Sequence, residues 1–94
     1  MRMNSAAAEV LAIKALGWLA AQDELLGVFM GASGVQPDEL RTKAGDPEFL
    51  GAVLDFITMD DAWVVQFCNE TGLAYEDPIR ARQALPGGQQ VHWT

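Results

Sequence analysis

Apolar residues along the chain recur at intervals of three and four rather than alternating, so the pattern predicts helices and no long strand. The clearest stripe is Phe49, Leu50, Val53, Leu54, Phe56 and Ile57. It follows Asp46-Pro47, a helix-opening pair, and must face a core. Upstream, an alanine-rich run without proline predicts a first helix from Asn4 or Ser5 to Ala21. Its Val10, Leu11, Ile13, Leu16, Trp18 and Leu19 point nearly all round the axis, which predicts a central, buried helix. Gly17 lowers helix stability there and suggests a place where a neighbouring backbone comes close.

A second helix is expected to start with Asp23 as N-cap, to carry Leu25, Leu26, Val28 and Phe29 on one broad face, and to end at Gly34. A short third helix opens with Pro37 and ends near Ala44-Gly45. A fifth, capped by Thr58 or Asp60, turns Trp63, Val64, Phe67 and Cys68 inward. A sixth runs from Asp77-Pro78 to near Leu85. Ser33-Gly34-Val35 and Thr71-Gly72-Leu73 both read as helix ends in which glycine takes a left-handed conformation and the next apolar residue packs back.

Those two glycine turns belong to a wider recurrence. Shifted by 38 residues, Asp23, Leu25, Leu26, Phe29, Ser33, Gly34 and Val35 return as Asp61, Trp63, Val64, Phe67, Thr71, Gly72 and Leu73. Leu11, Leu16, Trp18 and Leu19 return as Phe49, Leu54, Phe56 and Ile57. The expected fold class is therefore all-α: a compact bundle of about five to six short helices, built as two pseudo-symmetric three-helix repeats over about residues 9–45 and 47–85. Two copies are fewer than a stacked solenoid needs, so they should close on each other within a single domain, residues 1–86. A polar tail, residues 87–94, follows.

Composition narrows the classes of function. Ninety-four residues suffice for one core, and half of them are hydrophobic. Thirteen acidic against six basic side chains give a net charge of −7. That is a poor footprint for DNA or RNA and for an anionic membrane surface, where affinity comes from neutralising phosphates. The apolar run Ala6–Ala21 is too short to span a bilayer, and Glu9 and Lys14 within it make a poor signal-peptide core, so a cytoplasmic protein is expected. Cys68 is the one cysteine, which excludes an intramolecular disulfide and a zinc set. Without an export signal, the glycosylation sequon Asn69-Glu70-Thr71 reads as coincidence.

Few side chains are available for catalysis. The one histidine, His92, lies two residues from the end, and Cys68 sits on an apolar helix face with no nearby histidine. There is no phosphate loop, serine elbow or histidine pair, so no catalytic residue, cofactor or metal ligand is assigned. Asp60-Asp61 with Asp55 suggests a hard-cation site on one reading and ordinary helix capping on the other, and capping is preferred. The third helix of each repeat carries a basic pair, Arg41 with Lys43 and Arg80 with Arg82. These four cations are either a clamp for an acidic partner or phosphate, or charges that complement helix dipoles. Trp18 and Trp63 are expected in the core. Trp93, in Val91-His92-Trp93 after Gly87-Gly88, either folds back or docks into a partner.

Several stretches resemble a family of short bacterial proteins found mainly in alphaproteobacteria and catalogued as domain of unknown function 3572. They are Ala15-Leu16 to Ala20, Asp23, Leu25, Phe29, Ser33-Gly34, Leu40-Arg41, Asp46 to Leu50 and Ala52 to Phe56. The resemblance covers roughly Ala6 to Gly87 and is most specific from Asp46 to Asp61. It implies a small cytoplasmic bacterial protein and carries no activity, cofactor or site residue. The expected function is a non-enzymatic helical module that binds an unidentified protein partner or self-associates, with Trp63, Trp93 and the two basic pairs as candidate contacts. The alternative is a nucleic-acid regulator or an acidic competitor for a nucleic-acid-binding site.

Overall fold

The computed structural model describes residues 3–86, and these form six α-helices with no strand among them. Helix α1 spans Ser5–Ala20, α2 Asp23–Ser33, α3 Glu39–Lys43, α4 Pro47–Ile57, α5 Asp61–Thr71 and α6 Asp77–Ala84. The expected tail, with His92 and Trp93, lies outside the described residues.

Each helix start has a local cause. Asn4 caps α1 by accepting the Ala7 N–H at 2.7 Å, and Asp46 and Asp60 cap α4 and α5 by accepting the N–H of Glu48 and Ala62 at 3.0 and 2.8 Å. Thr58 instead closes α4, its hydroxyl donating to the Leu54 carbonyl at 2.8 Å. Gln22, without a side-chain cap bond, occupies the N-cap position of α2. Asp23 is one residue inside, where it favours the positive end of the helix. Pro37 lies in a turn rather than at the first position of α3: the Glu39 carboxylate accepts the Gln36 N–H at 2.8 Å and sets the helix start two residues later. The same device opens α6, where Asp77 accepts the Ala74 N–H at 3.0 Å.

Helix α1 packs against α6, α4 and α2, and α4 also packs against α6. The buried side of α1 consists of Ala8, Leu11, Ala12, Ala15, Leu16, Trp18 and Leu19. Val10 and Ile13 are 57% and 49% exposed, contrary to the expectation of a helix buried all round. Counting large side chains misplaces the buried face, because methyl-sized residues occupy its innermost positions. Gly17 has open space around it, so no backbone approaches there. The close approach occurs at Gly51 of α4, where a Cβ would lie 2.7 Å from Nη1 of Arg82.

The stripe of α4 is buried as expected: Phe49, Leu50, Val53, Leu54, Phe56 and Ile57 all enter one contiguous core. Phe29 of α2 meets Phe49 and Phe56 edge to face, with ring centroids 6.0 and 5.2 Å apart. Phe67 of α5 meets Trp18 in the same way at 5.6 Å. Val64 and Cys68 are buried beside it.

The 38-residue spacing recurs in the limits of α2 and α5, in the starts of α3 and α6, and in their two turn glycines. The packing does not follow a twofold. Such symmetry would set α4 against α3 as α1 is set against α6, whereas the main partners of α4 are α1 and α6.

Gly34 and Gly72 end α2 and α5 at φ 77° and 75°, the left-handed region where a side chain is strained although space is free. Gly34→Ala and Gly72→Ala are each expected to destabilise by about 1 kcal/mol. Gly17→Ala, in an open helical position, should stabilise by roughly 0.5–1 kcal/mol. Urea unfolding midpoints of the three variants measure both signs.

Candidate functional site

Two shallow depressions meet on the outer face of α2 and α5. One, of about 530 Å³, lies between the helices and is lined by Asp23, Glu24, Leu25, Val28, Trp63 and Gln66 among others. Its neighbour, of about 590 Å³, runs along α5 past Asp61, Val65, Gln66 and Glu70. Gln66 lines both. Helices α2 and α5 are not among the closely packed pairs, which leaves the cleft between them open.

Trp63 is only half-buried. It stacks on Phe56 with ring centroids 4.9 Å apart and 26° between planes, and it also lines the cleft. The core therefore holds the indole in place while leaving part of it accessible. Val28 and Val65 add exposed apolar surface on either side, at 56% and 39% exposure. Acidic residues dominate the charged lining because the first turns of α2 and α5 begin there, and helix N-termini favour Asp and Glu.

Glu70 has a second role. Its Oε1 accepts the indole N–H of Trp18 at 2.9 Å, and its Oε2 accepts the Gln66 amide at 3.3 Å. Trp18 is buried, as expected, and its N–H needs such a partner. That partner lies 52 residues away and leaves no local pattern in the sequence.

The four side chains of the two basic pairs have different surroundings. Arg82 donates to Asp55 at 2.6 Å and to the Pro86 carbonyl at 2.9 Å, lying across Gly51. Arg80 makes a loose pair with Asp77 at 3.9 Å, a surface contact of small energetic weight. Arg41 is exposed and Lys43 half-buried on α3, a helix not closely packed on α6. Trp93 lies outside the described residues.

The three aspartates near the α4–α5 junction have separate tasks. Asp55 holds Arg82, Asp60 caps α5, and Asp61 begins that helix. Among the described residues, no cluster of three or more histidine, cysteine or acidic side chains is arranged to hold a metal. No described helix is long and apolar enough to cross a membrane.

Cys68 is buried, with its sulfur 3.4 Å from the Ala74 carbonyl. Burial, and secondarily the negative charges of Asp77 and Glu76, push the thiol pKa above its ordinary value. At neutral pH it is a protonated, inert core group.

These features define a small all-α bundle in which Val28, Val65 and part of Trp63 share the face of α2 and α5 with Asp23, Glu24, Asp61 and Glu70. The chain belongs to the family described as Protein of unknown function (DUF3572), matched over residues 5–88. No curated protein and no solved structure is significantly similar to it.

The environment of Cys68 makes its reactivity a measure of opening. Labelling of the folded chain by a thiol reagent at pH 7 should be at least about a hundredfold slower than in urea, as for structural cysteines without thiolate character. The fold favours the protonated thiol. Its contribution to stability is therefore present at neutral pH and is lost as pH rises through the elevated folded pKa. Stability curves across the alkaline range, compared between the native chain and Cys68→Ala, read that loss.

Proposed function

We propose that this chain is a non-enzymatic helical module that acts by binding another protein or by self-association, through the face formed by α2 and α5. The observation that carries this reading is the cleft between those helices. It exposes Val28 and part of Trp63 at a place where the core fixes the indole by stacking on Phe56. A rigid, amphipathic aromatic side chain loses little entropy on binding, and such residues dominate interface energetics. The chemistry of the remaining side chains supports the same reading, since Cys68 is inert and the junction aspartates serve capping and pairing.

A nucleic-acid role has less behind it. Among the described residues, the charged side chains lining the two depressions are Asp23, Glu24, Asp61 and Glu70, with no basic one. Of the basic residues that such a role needs, Arg82 is already engaged.

Val28→Glu and Val65→Glu test the reading. Both positions are exposed, so thermal melts should stay within about 0.5 kcal/mol of the parent in stability. Sedimentation velocity of the purified chain and affinity capture from lysate should show a complex, homomeric or heteromeric, that either substitution weakens by at least tenfold, about 1.4 kcal/mol. A chain that is monomeric and captures nothing sensitive to these substitutions overturns the proposal.

A further inference from the structure

Binding at the α2–α5 face leaves the choice of partner open, and the charge distribution around that face decides it; the choice rests on the interaction reading. Among the described residues, the side chains lining the two adjoining depressions include four acids, Asp23, Glu24, Asp61 and Glu70, and no lysine, arginine or histidine. The same lining includes Leu25, Val28, Trp63 and Val65. The surface thus combines apolar side chains with negative charge, on a chain of net charge −7.

A second copy fits this surface poorly. In a twofold dimer the same patch meets itself, so four carboxylates from each copy would be gathered into one interface with no basic side chain from the described lining to offset them. Like charges brought together across an interface are a strong element of specificity against that pairing. The favoured occupant carries the opposite charge.

The backbone of the occupant follows from the architecture. The described residues contain no strand, so they offer no sheet edge on which an extended peptide could be augmented. A cleft between two helices accepts the ridge of a third, whose own backbone hydrogen bonds are already satisfied. Glu70 is fixed beforehand by Trp18 and Gln66, so one of the four acids is positioned without further loss of side-chain freedom.

We propose that the α2–α5 face binds a basic amphipathic helix of another protein. Its apolar residues, at three- and four-residue spacing, lie on Val28, Trp63 and Val65, and its flanking lysines or arginines meet Asp23, Glu24, Asp61 and Glu70.

The test titrates the full chain, followed by amide NMR shifts, with three synthetic peptides of about 18 residues, five helical turns. The first has a leucine stripe flanked by lysine, the second the same stripe flanked by glutamate, and the third the composition of the first with the stripe scrambled. The striped lysine peptide should shift amides of α2 and α5, bind at least about tenfold more tightly than either control, and weaken as salt is raised. Val28→Glu/Val65→Glu and the charge-neutral Glu24→Gln/Asp61→Asn should each reduce its affinity by about tenfold. Equal binding of the scrambled peptide, shifts centred elsewhere, or no binding overturns the inference. If the peptides fail while the chain self-associates in a Val28- and Val65-dependent way, the occupant is a second copy: the interaction reading stands and this inference falls. If neither peptide binding nor association responds to those valines, both fall.

Discussion

Burial of α1 depends on how closely other helices can approach it, and that distance is set by Ala8, Ala12 and Ala15. All three are fully enclosed, and they lie at intervals of four and three on the side of α1 that enters the core. Larger side chains there would hold α6 and α4 away, because a close-packed interior cannot absorb extra methylenes without displacement. The flanking Leu11, Leu16, Trp18 and Leu19 then supply the apolar area that drives association. With α1 in place, α4 contributes its stripe, and Phe29 and Phe67 bring α2 and α5 onto the core through edge-to-face contacts. Helix α5 is held largely by such side-chain contacts, which explains how the cleft beside α2 stays open.

Where the chain's information is local, the sequence could be read directly. The α4 stripe, the two glycine turns and the helical class follow from spacing and backbone preference, and the structure has them. The cap between α4 and α5 left two candidates, Thr58 and Asp60; both act, one closing a helix and the other opening the next. The buried alanine face was not legible because alanine occurs as readily on exposed helix surfaces as in cores. Arg82 over Gly51 and Trp18 to Glu70 join residues far apart in the chain, which no periodicity announces. A guanidinium that the sequence offers as part of a clamp or as a charge complementing a helix dipole is thus a tether between α6 and α4. The 38-residue recurrence specifies individual elements, and the inter-helix packing departs from it.

The candidate face arises from the same forces that build the helices. Acids gather at the first turns of α2 and α5 because helix N-termini stabilise them, and Trp63, in the first turn of α5, lines one depression with Asp23 and Glu24. Charge placed for local stability therefore shares a surface with the most accessible aromatic side chain of the core. The two effects need no separate origin. Any partner meets an indole already fixed by Phe56 and a carboxylate already fixed by Trp18, so much of the ordering of this surface is complete before contact.

Gly34 and Gly72 are the two described residues with positive φ. At each, the backbone takes for a single residue the conformation natural to an amino acid of opposite handedness. Nothing stands within 4 Å of an added L-type Cβ, so the obstacle to a side chain there is chirality rather than room. Glycine is the genetically encoded residue best suited to such a point, and it leaves the unfolded chain freer than any other would. Chemical synthesis escapes that restriction. A D-alanine at either site favours the observed backbone conformation and narrows the unfolded ensemble. The ends of α2 and α5 are thus places where a mirror-image building block is a better match to this fold than the natural L-residues with side chains.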